Sequence, residues 1–288
     1  MGYMHIQNLY REQTILLFKE CYATEKIHGT STHISFNYEQ KKVSFSSGGE
    51  GHEKFVKLFD AQKLLDGFIS LFNDDVVIFG EGYGGKQQGQ SDRYGKELKF
   101  IAFDVKVGNH WLSVPNAEDV ATKLGLEFVH YVKIPTTIEA IDAERDADSV
   151  QAVRNGMGAG HKREGVVLRP LVEMRVNNGD RVISKHKGAE FGETKTHRDV
   201  DPEKLKVLTE ANEIAEEWVT AMRLEHVLDK LPNVVDMSAI PVVIKAMVED
   251  VYREGKGEFV ESKSVEIAIG RKTAVMFKKR LEDRLKGL

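Results

Sequence analysis

Cysteine is nearly absent from this chain: among 288 residues, Cys21 is the single thiol. That excludes an intramolecular disulfide and fits a reducing compartment, so a cytoplasmic location is expected. Long apolar runs are missing as well. No stretch approaches the roughly 18 consecutive apolar residues that a membrane span needs, so no membrane partner is expected. The opening MGYMHIQNLYREQTILLFKE lacks a basic segment followed by an apolar core, and so does not read as a secretory signal. Gly2 is present, but Ile6 stands where N-myristoylation prefers Ser or Thr. There is no excess of positive charge either. Lys and Arg number 41 against 45 Asp and Glu, a net charge of −4. A basic balance is common in nucleic-acid binders, so any phosphate binding here must come from local patches. Internal repeats and low-complexity tracts are also lacking.

What remains is a composition that can build a core. Hydrophobic residues make up 41% and charged residues 30%, which suits a globular chain of one large or two smaller domains. THISFNY and KKVSFSS, within about 32–47, read as two strands joined by a polar turn at Glu39 and Gln40. GHEKFVKLFDAQKLLDGFISLF places Phe55, Leu58, Phe59, Leu65 and Phe68 on helical spacing. DDVVIFGEGYGG reads as a strand running into a loop, and KQQGQSDRYGKE as a polar loop. LKFIAFDVKVGNHWLSV carries a hairpin signal at Gly108 and Asn109. AEDVATKLG reads as a short helix closed by Gly125. EGVVLRP and RVISKHK are two more strands. The pattern up to about residue 193 is that of an antiparallel, strand-rich α+β domain. TKTHRDVDPEK then reads as a linker. Three helical stretches follow: one through residues 202–231, one through 237–255 with Pro241 near its start, and one through 262–287.

Several residues have chemical potential and a plain reading side by side. Lys26, in ATEKIHG, is a solvated lysine or a nucleophile beside a glycine turn. Glu81 is a loop carboxylate, Phe103 a core residue, Asp104 a strand-end cap, and Glu164 the residue before an apolar strand. Lys185 and Lys187 are two apart on a strand and so share a face, as edge lysines that discourage strand pairing often do.

In order, however, the chain reads EKIHG, GEGYG, FDV, EGVVLRP and KHKGAEFGE. This series resembles the superfamily of ATP-dependent polynucleotide ligases and mRNA-capping enzymes. Within it the resemblance is to the RNA ligase 2 family, which includes the phage nick-sealing ligases and the RNA-editing ligases. His28 stands where DNA ligases usually carry aspartate, and the preceding Thr-Glu-Lys also matches. The last motif extends over Lys185, Lys187, Phe191 and Glu193. The tail is helical, with no sign of an oligonucleotide-binding barrel. The resemblance spans residues 24–193 and implies an α+β fold. An antiparallel-sheet nucleotidyltransferase domain, the ATP-grasp-like adenylation domain of ligases, is expected over residues 1–198. A small all-α C-terminal domain is expected over 199–288.

The resemblance also implies roles. Lys26 would attack ATP and carry AMP through a phosphoramidate bond. A lysine amine attacks only when neutral, against a free pKa of about 10.4. Nearby positive charge favours the neutral form, and Lys185, Lys187 and Mg²⁺ (or Mn²⁺) would supply it. Those cations would also neutralise charge building on the phosphates. Gly29 gives a turn and lets backbone approach the nucleotide. Glu81 holds the ribose hydroxyls, Phe103 stacks on adenine, and Glu25 helps to read the base. Ile27 and His28 complete the nucleotide site, His28 as a packed or hydrogen-bonded strand histidine or as a phosphate contact. Glu164 faces the metal through water.

Two positions depart from the family pattern. The second motif usually carries an arginine before glycine, where this chain has FSSGGEG with Ser46 and Ser47. Ser31 replaces the asparagine of the phage ligases. In the tail, Arg271, Lys272, Lys278, Lys279, Arg280 and Arg284 form either a solvated helix face or a contact to the backbone of duplex RNA. The expected activity is ATP-dependent joining of an RNA 5′-phosphate to a 3′-hydroxyl, at a nick in a duplex, by a monomer in the cytoplasm of a cell or a phage-infected host. The alternatives are a DNA ligase, a capping guanylyltransferase, or a non-catalytic RNA-binding relative that kept the fold.

Overall fold

The computed structural model describes residues 2–48, 51–176, 179–191, 201–231 and 236–285. Glu193 of the extended last motif, the expected domain boundary at 198 and most of the linker TKTHRDVDPEK lie outside the described residues. The chain divides into two compact units, Met1–Asp199 and Val200–Leu288.

The first unit begins with β1 (Gln7–Asn8), β2 (Glu20–Lys26), β3 (Thr30–Asn37) and β4 (Lys42–Ser46). Helices α1 (His52–Val56) and α2 (Ala61–Leu71) lead to β5 (Val76–Gly84), α3 (Ser91–Tyr94), β6 (Leu98–Val107) and β7 (His110–Trp111). Then come α4 (Val114–Lys123), β8 (Tyr131–Pro135), α5 (Ile138–Arg145), α6 (Val150–Arg154), β9 (Gly165–Pro170) and β10 (Ser184–Lys187). The strands form two sheets, ordered β1-β10-β9-β2-β8 and β4-β3-β5-β6-β7. Every ladder between them is antiparallel except that of β1 with β10.

Alternation explains β3: Thr32, Ile34 and Phe36 point inward, with more exposed residues between them. Central β5 is buried along most of its length, as expected of a strand flanked by β3 and β6. Ile34, Phe36 and Ile78 join Leu64 and Phe68 of α2 and Ala117 and Ala121 of α4 in one core. Phe36 stacks on Phe68 with ring centroids 5.1 Å apart.

The hairpin at Gly108 and Asn109 and the Gly125 stop, at φ +73, are as expected. Other boundaries differ for local reasons. The helical stretch 51–72 is broken into α1 and α2, because Asp60 accepts the Lys63 N–H at 3.0 Å and caps a new helix. Helix α4 starts earlier than AEDVATKLG, with Pro115 in its first turn. β5 runs on through GEGYG to Gly84; a Cβ at Gly80 would meet the Phe100 ring at 2.3 Å, so this glycine serves close packing rather than a turn. The polar loop after β5 holds the short helix α3, whose Tyr94 is buried.

The second unit is helical among the described residues: α7 (Pro202–Trp218), α8 (Ala221–Asp229), α9 (Ile240–Glu254) and α10 (Lys263–Leu285). Thr220 breaks the first expected helix in two by accepting the Arg223 N–H at 3.2 Å. Ala211, Ala215, Leu224, Val243, Met247, Ile269 and Phe277 form its core. Two of the basic residues on α10 are paired inside the unit: Lys272 with Glu216 at 2.7 Å and Arg280 with Glu225 at 2.6 Å. No described helix is long and apolar enough to cross a membrane.

Candidate active site

Three neighbouring strands assemble the centre. Lys26 closes β2 in register with Gly165 of β9, and Lys187 closes β10 in register with the same glycine. Glu164, just before Gly165, therefore lies between the two lysines. Lys26 Nζ is 2.9 Å from Glu164 Oε2, and Lys187 Nζ is 3.0 Å from Oε1. His28 Nδ1 lies 3.3 Å from Oε2. Burial raises the Glu164 carboxyl, but the His28 hydrogen bond and the charges of Lys26 and Lys187 outweigh it and hold it at about 2. Glu164 is thus a buried anion at neutral pH, met by the side chains of Lys26 and Lys187. His28 takes the hydrogen-bonded place foreseen as one of its readings. It lies in the connection after β2 rather than in a strand.

Glu81 faces this centre from the other sheet. It pairs in register with Ser31 of β3. Burial pushes its carboxyl up to about 7, with Lys26 opposing, Glu164 adding, and a hydrogen bond from the Gly29 backbone lowering it. A Cβ at Gly29 would meet the Gly82 carbonyl oxygen at 2.4 Å. The close approach that requires glycine here is therefore to β5, and it seats Glu81. A cavity of about 400 Å³ opens between the sheets, lined by Lys26, Ile27, Glu81, Phe103 and Lys185. That volume lies within the range of small-ligand sites.

The sequence reading missed the far wall of this cavity. Tyr3 packs edge-on against Phe103, with centroids 4.9 Å apart, and donates its hydroxyl to Asp104 at 2.7 Å. Asp104 is inside β6 rather than at a strand end. It is fully buried and holds Arg169 at 3.0 Å and Arg181 at 2.6 Å. Glu25 also lines the cavity, but both its carboxylate oxygens are engaged. One accepts the Ser149 hydroxyl at 2.5 Å; the other accepts the N–H groups of Val150 at 3.0 Å and Gln151 at 3.3 Å. Burial raises this carboxyl. The side chain expected to read adenine is thus spent in capping α6. Ser149 ahead of an apolar run was a legible cap signal; its partner was not.

The loop after β5 folds against the Lys26 motif. Gln87 accepts the Thr30 hydroxyl at 2.7 Å, and Tyr94 Oη meets the His28 N–H at 3.4 Å. Beside Tyr94, the Arg93 guanidinium lies 4.6 Å over the Phe191 ring, and that ring is 5.5 Å from the His28 ring.

Among the described residues, no cluster of three or more His, Cys, Asp or Glu could hold a metal. A single carboxylate among lysines fits a hard cation held mainly by phosphate oxygens and water, as Mg²⁺ commonly is.

Two antiparallel sheets closing on a lysine–carboxylate–lysine centre define a nucleotidyltransferase fold. A family model described as RNA ligase matches residues 19–187, and the chain belongs to the RNA ligase family. No curated protein matches it. Solved structures of similar fold include Naegleria gruberi RNA ligase with PPi, at 16% identity and a TM-score of 0.51. Mutants of that ligase with AMP and Mn and with ATP and Mn match at 15% identity and the same TM-score. The match covers 66% of this chain and 57% of those, so this chain aligns with little more than half their length.

Proposed function

We propose that the chain is an ATP-dependent RNA ligase that works through a lysyl-adenylate on Lys26. The observation that carries this reading is the placement of Lys26 at the rim of a cavity lined by Glu81 and Phe103, with Glu164 between it and Lys187. The Naegleria structures of the same fold hold ATP, AMP and Mn, and the same ligands are proposed here.

In the first step neutral Lys26 Nζ attacks the α-phosphorus of ATP. A P–N bond forms, the bond to the bridging oxygen breaks, and pyrophosphate leaves. An RNA 5′-phosphate oxygen then attacks the same phosphorus, breaking the P–N bond and restoring the lysine. Finally a 3′-hydroxyl attacks the activated 5′-phosphate, a phosphodiester forms, and AMP leaves with its bond electrons. Phe103 offers a face for adenine, and Glu81 accepts from the ribose hydroxyls when ionised. Lys185 and Lys187 offset phosphate charge. Glu164 orients Lys26 and would hold a divalent metal directly or through water. Such a metal, when bound, supplies Lewis-acid charge at the phosphates. Residues 1–198 are proposed as the nucleotidyltransferase domain and 199–288 as a helical domain that engages duplex RNA. A nicked RNA duplex in the cytoplasm is the favoured substrate, and a monomer the favoured form.

The test is incubation of the pure protein with Mg²⁺ and ATP labelled on the α-phosphate, with Lys26→Ala in parallel. Acid-labile label on the wild type alone supports the reading. Label retained by Lys26→Ala refutes Lys26 as nucleophile, and no label on AMP-free wild type refutes the lysyl-adenylate.

A further inference from the structure

We propose that Arg93 is a phosphate-binding residue of this site, taking either the pyrophosphate portion of ATP or the 5′-phosphate of RNA. The proposal deepens the lysyl-adenylate reading and rests on it for the identity of the ligands.

The guanidinium of Arg93 is held flat over Phe191, 4.6 Å from the ring centroid. Its Nε and Nη1 are buried and have no hydrogen-bond partner among the described residues. Arginine stays charged at every physiological pH, so two buried donors without acceptors are a standing cost. Such a group calls for a ligand or a solvent molecule that supplies the acceptors. Arg93 is half-buried; the fully buried arginines of the unit have carboxylates. Arg163 meets Glu144 at 3.0 Å, and Arg169 and Arg181 meet Asp104 at 3.0 Å and 2.6 Å. Arg93 stands apart from them in having none among the described residues.

Its position points to the ligand. Phe191, which carries the guanidinium, also touches His28, and His28 reaches Glu164 at 3.3 Å. Glu164, the anion of this centre, is already shared by Lys26, His28 and Lys187. An anion that enters on the His28 and Phe191 side of this centre would find the donors of Arg93 open. The anchoring is rigid as well. Tyr94 is fully buried, its hydroxyl meets the His28 N–H, and its carbonyl accepts the Asn155 amide at 2.9 Å. A fork of guanidinium N–H groups matches two oxygens of one phosphate, which a lysine cannot do. The stretch FSSGGEG offers no guanidinium, and Arg93 brings one from the loop after β5.

The experiment compares the full-length wild type with Arg93→Met, which keeps a stem on Phe191 without donors, and Arg93→Lys, which keeps charge without the fork. Each is titrated with inorganic pyrophosphate, and with nicked RNA bearing a 5′-phosphate or a 5′-hydroxyl at the nick. Thermal unfolding is followed in parallel. Charged hydrogen bonds of this kind predict that Arg93→Met weakens one anion by about 10- to 100-fold, with Arg93→Lys between. Loss for pyrophosphate assigns the ATP end; loss of the preference for 5′-phosphate assigns the RNA end. Unchanged binding of both overturns the proposal. So does a weakening that Arg93→Met and Arg93→Lys share equally with a drop in melting temperature, which would mean that the residue only packs. If Arg93→Met does not fold, Arg93→Lys alone decides, and wild-type affinities for both anions overturn the proposal. These are binding readouts, so a wild type that takes no label from ATP would sink the ligase reading while leaving Arg93 judged separately.

Discussion

Lys26 and Lys187 stand on either side of Gly165 in the sheet and hold the two oxygens of one carboxylate, Glu164, at 2.9 Å and 3.0 Å. Lys26 and the motif farthest from it in the chain are thereby locked to a common reference point. That arrangement makes the centre sensitive to the charge of Glu164 and to the backbone beneath it.

Glu164 has a folded-state pKa of about 2, below its ordinary 4.5. Its contribution to stability is therefore complete above pH 4.5 and is lost as pH falls toward 2, on the order of 3 kcal/mol in all. Denaturant unfolding of wild type and Glu164→Gln from pH 6 to pH 2 should show the gap between them closing in acid. A constant gap would contradict the buried ion pairs. Glu164→Gln should also lose self-adenylation.

Glu81 has the opposite sign. Its folded-state pKa is raised from 4.5 to about 7, so the ligand-free protein loses stability as pH rises through that window. Glu81→Gln removes this dependence and should be more stable than wild type at pH 8, with the advantage gone at pH 4.5. Urea midpoints at the two pH values test it. With Glu81 as the proposed acceptor of the ribose hydroxyls in its ionised form, wild-type ATP affinity should fall below pH 7.

Gly165 has φ +155, and a Cβ there would meet the His186 carbonyl oxygen at 2.2 Å. Gly165→Ala should force β10 away from β9 and carry Lys187 off Glu164. A loss of about 1–3 kcal/mol from backbone strain is expected, with self-adenylation reduced far more than the shift in melting temperature would explain. Wild-type labelling in this variant would show that the register of Lys187 is dispensable.

Ser149 caps α6 and donates to Glu25. Ser149→Ala should cost about 1–3 kcal/mol, the sum of a lost cap and a buried carboxylate oxygen left short of a partner. Thermal unfolding measures it; no change would mean that Glu25 is satisfied in another way.

Tyr3 joins two effects that substitution can separate. Tyr3→Phe removes the hydrogen bond to Asp104 and keeps the ring against Phe103, so stability should drop by about 1–3 kcal/mol with ATP affinity little altered. Tyr3→Ala also frees the Phe103 ring and should weaken ATP binding. Equal ATP affinities in the two variants would remove Tyr3 from the wall proposed to meet adenine.

Much of this protein was legible along the chain. Strand alternation marked β3, the glycine turn marked the β6–β7 hairpin, and helical spacing marked the second unit as helical, in three stretches where the described residues form four helices. These are local effects, set by side-chain periodicity and backbone freedom within a few residues. Lys26, Glu81, Phe103, Glu164 and Lys187, which the structure places around one centre and its cavity, can each be named from their motifs along the chain. Boundaries were less legible where one polar residue decides, as Asp60 and Thr220 do by starting new helices.

Partnership was not legible. Nothing along the chain distinguishes Glu25, whose oxygens cap α6, from Glu164, whose oxygens bind two lysines. The difference lies in which helix N-terminus and which strand ends fold against each carboxylate. The same holds for Tyr3, Asp104, Arg169 and Arg181, a buried charged cluster drawn from distant segments. By itself the sequence determined most of the elements, the family and the set of candidate groups, since periodicity and side-chain chemistry act locally. The tertiary structure alone decided which charges meet, because burial and distance, which set the strength of every electrostatic contact, exist only once the sheets have closed.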